Sequence, residues 1–250
     1  MPEPTTDTPP AFYARRGGRW ADWWTLLHPP YTIWHLSYVV LGAAVAPDRD
    51  WVALAASVLA FFLAVGLAAH ALDELHGRPL GTGIPDATLW GVAVGGLVGA
   101  VALGLVGSFG RGPVNWPLAV AIPVGAVLVV GYNLELAGGL LHRDLTFALA
   151  WGGFPVVVGY LAQSPRTTWT GLAAVAAATL GGVGTSYAQR LLSTPARRLR
   201  RRTVEVTGSA TALDGTVAPV DRATLLAPLE GALRALSWAV PLIAVAVLLT

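Results

Sequence analysis

The sequence predicts an all-α protein, a polytopic transmembrane helical bundle of about seven spans. Three observations carry that prediction. Of the 250 residues, 54% are hydrophobic and only 12% charged, where soluble domains carry roughly 25% charge; so few charges cannot cover a water-facing surface. Apolar runs recur along the chain, near the ~20 residues that a bilayer crossing needs, with short polar turns between them. The cations, all arginine with no lysine among them, fall mostly on alternate turns.

Residues 1–30 are proline-rich and polar, then basic and aromatic, with Arg15, Arg16 and Arg19 beside Trp20, Trp23 and Trp24. Tryptophan next to arginine marks a segment lying at headgroup level, and the first apolar run begins too late for a cleavable signal. A first span covers about 31–46 and is short, so it is expected to extend back through Leu26. The second covers 51–72, the third 89–107, the fourth 116–134, the fifth 145–163 and the sixth 169–188. The third is rich in small residues (Gly91, Gly95, Gly96, Gly99) that allow close helix contact. A basic loop is expected over 191–228 and a seventh span over 229–250. Domain organisation is then an interfacial segment (1–30), a six-span bundle (31–190), the loop and the last span.

Orientation follows from the arginines. With the N-terminus inside, the inner side holds Arg15, Arg16, Arg19, Arg78, Arg143 and the eight from Arg190 to Arg234, leaving Arg49, Arg111 and Arg166 outside. The positive-inside rule places the N-terminus in the cytoplasm. The arginine-only, Ala/Gly/Val-rich composition points to a bacterial plasma membrane. Absence of cysteine removes disulfides and thiolate chemistry, and absence of lysine removes Schiff-base chemistry. The Arg197–Arg202 run reads as a membrane-surface patch; no folded domain accompanies it, so nucleic acid is not an expected partner.

The most concentrated chemistry lies where the second span ends, in Ala69 to Ile84, with His70, Asp73, Glu74, His76 and Arg78. The fourth span ends on the same side with Tyr132, Asn133 and Glu135, followed by His142, Arg143 and Asp144. The sixth ends there with Gln189 and Arg190. His28 and His35 lie near that face too, so all five histidines gather on one side. A one-sided polar pocket accounts for this. Ionisable groups near the hydrocarbon boundary are costly and tend to be paired or functional. Plainer roles stand beside it: lipid anchoring for Arg78 and Arg143, helix capping for Asp144, and the interfacial belt for His28.

The pattern resembles the UbiA-type intramembrane prenyltransferases. The second span runs into His70-Ala-Leu-Asp73-Glu74-Leu-His76-Gly-Arg78-Pro79-Leu80, where the family shows N-D-x-x-D, a further acid, and a basic-Pro-Leu turn. The stretch from Tyr132 to Gln163 and the basic loop after the sixth span extend the likeness over about residues 20–205. The resemblance implies a prenyl diphosphate held through Mg²⁺, with an isoprenoid tail lying between helices. It implies Asp73 and Glu74 as catalytic residues, metal ligation by Asp73, Glu74, Glu135 and Asp144, and substrate contacts from His70, His76, Arg78, Tyr132, Asn133, Arg143, Gln189 and Arg190. The chain departs from the family's second acidic motif, since no carboxylate occurs between Asp144 and Glu205.

Three readings stay open. One is a divergent UbiA-type transferase using Mg²⁺. Another is transition-metal chemistry on His35, His70, His76, His142, Glu74 and Glu135, an N/O donor set suited to Fe, Zn or Mn. The last is a non-catalytic isoprenoid- or lipid-binding membrane protein. All three expect the polar helix ends to share one chamber.

Overall fold

A computed structural model of the chain describes residues 9–163 and 168–250; Arg166, counted above among the outer arginines, lies outside them. The helices are α1 (Arg19–Leu27), α2 (Pro29–Ala44), α3 (Trp51–Leu75), α4 (Asp86–Phe109), α5 (Trp116–Asn133), α6 (Asp144–Leu161), α7 (Trp169–Arg201) and α8 (Arg222–Leu248). Helices α3 to α8 are each long and apolar enough to cross a membrane. The chain is a multi-pass membrane protein.

Helix α2 is the exception in length. Its 16 residues rise about 24 Å at ~1.5 Å per residue, short of a hydrocarbon core of ~30 Å. It does not run back through Leu26 as expected: His28 takes a left-handed conformation at φ 46°, and the chain breaks between α1 and α2 before Pro29 and Pro30 start the new helix. A short helix suits its position at the centre of the bundle, where α8 and the second half of α6 cover it and Trp34, Tyr38 and Val39 are fully enclosed. The Tyr38 hydroxyl accepts from Trp34 Nε1 at 2.6 Å and from Ser186 Oγ at 3.1 Å, tying α2 to α7. The α2–α6 crossing is backbone on backbone. A Cβ on Gly42 would sit 2.0 Å from the Val156 carbonyl oxygen, and one on Gly159 would sit 2.2 Å from that of Val39. Of the small residues noted on the third span, Gly96 makes such an approach, 2.5 Å from the Leu63 carbonyl oxygen, whereas Gly91 and Gly95 face open space.

Two further differences concern the basic segment. Helix α7 does not stop near residue 188 but continues through Pro195 to Arg201, so much of the expected loop is helix. Arginine and leucine are good helix formers, and the helix gains support from contacts that its arginines make with the N-terminal segment and α8. The rest of the segment forms a small antiparallel hairpin, β1 (Ser209–Thr211) with β2 (Val217–Pro219). Helix α8 begins earlier than expected, at Arg222, with Asp221 capping it by accepting from Thr224 N at 2.7 Å.

The helix ends sort onto two faces. On one, Asp50 caps α3 and pairs with Arg111 at 2.6 Å, Asn115 Nδ2 donates to the Leu161 carbonyl at 2.7 Å, and Arg49 donates to the Leu248 carbonyl at 2.5 Å. The Ala53 N–H above all, with Arg111 adding to it, holds the Asp50 carboxyl below the usual carboxylate range. Everything chemically richer lies at the other face.

Because overpacking typically costs 1–3 kcal/mol, Gly42→Val is expected to lower the melting temperature of the detergent-solubilised protein by several degrees. Gly91→Ala is expected to leave it unchanged; a thermal scan compares the two.

Candidate functional site

Two helices widen just below the second face. Helix α3 carries a π segment over Phe62–Ala69, and α6 carries one over Ala148–Gly153. A π turn shifts the backbone ladder and turns carbonyls and side chains off the regular α register. Both segments supply a carbonyl to a histidine: Gly66 O lies 3.1 Å from His70 Nδ1, and Trp151 O lies 3.0 Å from His35 Nδ1. The same arrangement recurs at His28, whose Nδ1 is 2.7 Å from Leu26 O, and at His142, whose Nδ1 is 3.3 Å from Tyr132 O. A carbonyl oxygen can only accept, so each of these Nδ1 atoms carries the proton. In the neutral ring that leaves Nε2 as an acceptor.

All four rings line one chamber of about 750 Å³, its mouth included. Asp73, Tyr132, Asn133, Gln189, Arg190, Ser193 and Arg197 join them in its walls, so the polar ends of α3, α5 and α7 meet the start of α2 as expected. The His28 and His70 rings are 4.2 Å apart, and His142 stacks on Tyr132 at 4.5 Å. Asn133 Nδ2 donates to Val129 O, and Arg190 Nε donates to Asp144 at 2.8 Å. The Tyr132 hydroxyl and the Gln189 side-chain oxygen are buried with no hydrogen-bond partner among the described residues. Each such group costs about 1–3 kcal/mol unless something in the chamber meets it.

The N-terminal segment covers the chamber. Ala11 and Tyr13 form part of its lining. The segment is held down where Arg200 and Arg201 donate to the Pro9 and Pro10 carbonyls, at 3.2 and 3.0 Å, and Trp24 Nε1 donates to Tyr13 O at 3.0 Å. Burial pushes the Tyr13 phenol above its ordinary range, with the neighbouring Tyr31 adding to it, so it stays protonated.

Several expected site residues lie elsewhere. Glu74 is fully buried, and its carboxylate accepts from Leu80 N at 3.0 Å, Thr82 N at 2.8 Å and Thr82 Oγ1 at 2.9 Å. It organises the Arg-Pro-Leu turn and has turned away from Asp73's chamber. Arg78 is occupied by the Thr82 and Ile84 carbonyls and by Asp86. Glu135 sits outside on a left-handed residue, 3.9 Å from His76 and 3.8 Å from His142. Asp144 is engaged by Arg190, and Arg143 is exposed. Of the four carboxylates expected around Mg²⁺, Asp73 alone lines the chamber, and no group of three His, Asp or Glu among the described residues is placed to hold a metal ion. A hard cation needs several oxygen ligands; this donor set does not fit Mg²⁺.

A second, partly open apolar cavity lies at mid-bundle between α3, α4, α5 and α6, lined by Phe61, Ala64, Leu97, Ile122 and Phe154 among other apolar residues, with about 700 Å³ of empty space, its open side included. Trp151 lines both this cavity and the chamber. Sequence reasoning passed over Trp151, Tyr13 and Arg197 as site residues. The first was hidden in an apolar span, and the other two lay in segments read as surface.

The structure is similar to that of a UbiA homolog from Archaeoglobus fulgidus bound to Cd²⁺, with a TM-score of 0.51 and 15% identity, over 89% of this chain and 82% of that one. A match so low in identity establishes the fold: this is a membrane protein with a UbiA-type helical bundle, divergent in sequence. No family model matches the sequence, and no curated protein does.

Losing charge-assisted bonds to a buried carboxylate typically costs about 2 kcal/mol. Glu74→Gln is therefore expected to lower unfolding stability by about that amount, measured by denaturant titration in detergent. Asp73→Asn, with no hydrogen bond among the described residues to lose, is expected to cost less than Glu74→Gln in the same titration.

Proposed function

We propose that this protein holds a lipid of isoprenoid type, its head group in the histidine-lined chamber and its tail in the apolar cavity. The observation that carries the reading is Trp151, which lines both, so that a polar compartment and an apolar one adjoin inside a membrane-spanning bundle. An amphiphile with one polar end and one flexible apolar end matches that pair of compartments, and apolar pockets with a few convergent polar groups are the usual form of a ligand site. The UbiA-type fold is consistent with an isoprenoid tail.

The chamber faces the cytoplasm of a bacterial cell in this reading, because the arginines of its rim, Arg197, Arg198, Arg200 and Arg201, favour that side. The reading is one of holding the lipid. Mg²⁺-assisted transfer of a prenyl group draws no support from the carboxylates, since Glu74, Glu135 and Asp144 are committed outside the chamber.

Protein purified in mild detergent is expected to carry an isoprenoid-tailed lipid, identified by mass spectrometry of the extract. Ala100→Phe would fill the apolar cavity that Ala100 lines. It is expected to reduce the bound lipid roughly tenfold, the equivalent of about 1.4 kcal/mol, with the fold intact by circular dichroism. An extract without such a lipid, from protein that also fails to bind an added C20 isoprenoid, would overturn the reading.

A further inference from the structure

We propose that the chamber takes an uncharged head group that donates hydrogen bonds, that of a prenyl alcohol, in preference to a diphosphate. This rests on the two-compartment reading above and names the head group it holds. The walls carry four imidazole acceptors beside Arg197, a donor, and the hydroxyls of Tyr13, Tyr31, Tyr132 and Ser193, which can serve either way. His28, His35, His70 and His142 each spend Nδ1–H on a backbone carbonyl and have no hydrogen-bond partner at Nε2 among the described residues. The Asp73 carboxylate and the unpartnered oxygen of Gln189 add to them. The imidazole nitrogens are met by a ligand that supplies an O–H group, and the wall hydroxyls can turn to donate to that ligand's oxygen.

Charge points the same way. Asp73 and Arg197 stand in the same walls with opposite signs, and Arg190 is engaged by Asp144 outside the chamber. The chamber is therefore close to neutral while its histidines are neutral. Protonating them would allow an anion in, yet the His28 and His70 rings lie 4.2 Å apart, and two imidazolium charges at that separation in a buried wall repel strongly. A diphosphate brings several negative charges to a site with one uncommitted arginine and no assembled metal site among the described residues. The carboxylate that a cation would meet in the lining, Asp73, already faces the charges of Arg197 and Arg201. A hydroxyl group meets the imidazole acceptors without adding charge.

The test compares three probes with one tail: geranylgeraniol, its methyl ether and geranylgeranyl diphosphate, the last with and without Mg²⁺. Binding to the full chain in nanodiscs is read by tryptophan fluorescence. The alcohol is expected to bind at least about tenfold more tightly than the ether, the scale of one hydrogen bond in a desolvated site, and more tightly than the diphosphate. His35→Phe combined with His70→Phe is expected to shrink the alcohol-to-ether ratio. The comparison on the unaltered protein stands if that variant fails to fold. Equal binding of alcohol and ether, or tighter binding of the diphosphate in either condition, would overturn this inference and leave the two-compartment reading standing. If none of the three binds, it is the two-compartment reading that fails, and the head-group assignment with it.

Discussion

The arrangement at the site depends on one kind of bond, a histidine Nδ1–H donated to a backbone carbonyl. Inside a bilayer every carbonyl needs a partner within the protein. The π segments of α3 and α6 change which carbonyls are met by their own helix and which are open to a side chain. Gly66 and Trp151 are the two that histidines meet. The same bond fixes each ring's tautomer and leaves its other nitrogen as an acceptor, so the chamber's chemistry is set by helix geometry as much as by residue type. Without it the histidines would be free to rotate their donors into the cavity.

The turn that follows α3 illustrates how an acidic pair can divide its labour. Asp73 and Glu74 are adjacent, but neighbours on a helix point about 100° apart, and only one can face the chamber. Glu74 faces the turn over 80–82 and satisfies three donors there; Asp73 is left to the chamber. Arg78, in a left-handed conformation, closes the same turn through the carbonyls of Thr82 and Ile84. Residues that look like a catalytic cluster in one dimension are thus largely the scaffold that holds the mouth of the site.

Within the UbiA-type bundle, the mouth and walls of the chamber carry imidazoles and amides around a single carboxylate, with an apolar cavity beside them. The N-terminal segment, anchored by Arg200 and Arg201, closes the water-facing side over that mouth.

Hydropathy and charge placement were enough for the fold class and for the side on which polar helix ends collect, because burial in lipid constrains every residue of a span in the same way. They placed His28, His35, His70, Asp73, Tyr132, His142, Gln189 and Arg190 at one face, and those residues do share a chamber. What sequence could not fix was direction within that face. Whether Glu74 turned to solvent, metal or backbone depended on a tertiary turn eight residues long. The π segments, the break at His28 and the extension of α7 depended on packing against neighbours distant in sequence. Span patterns average over many residues, whereas a site is decided by a few bonds between elements that only the folded bundle brings together.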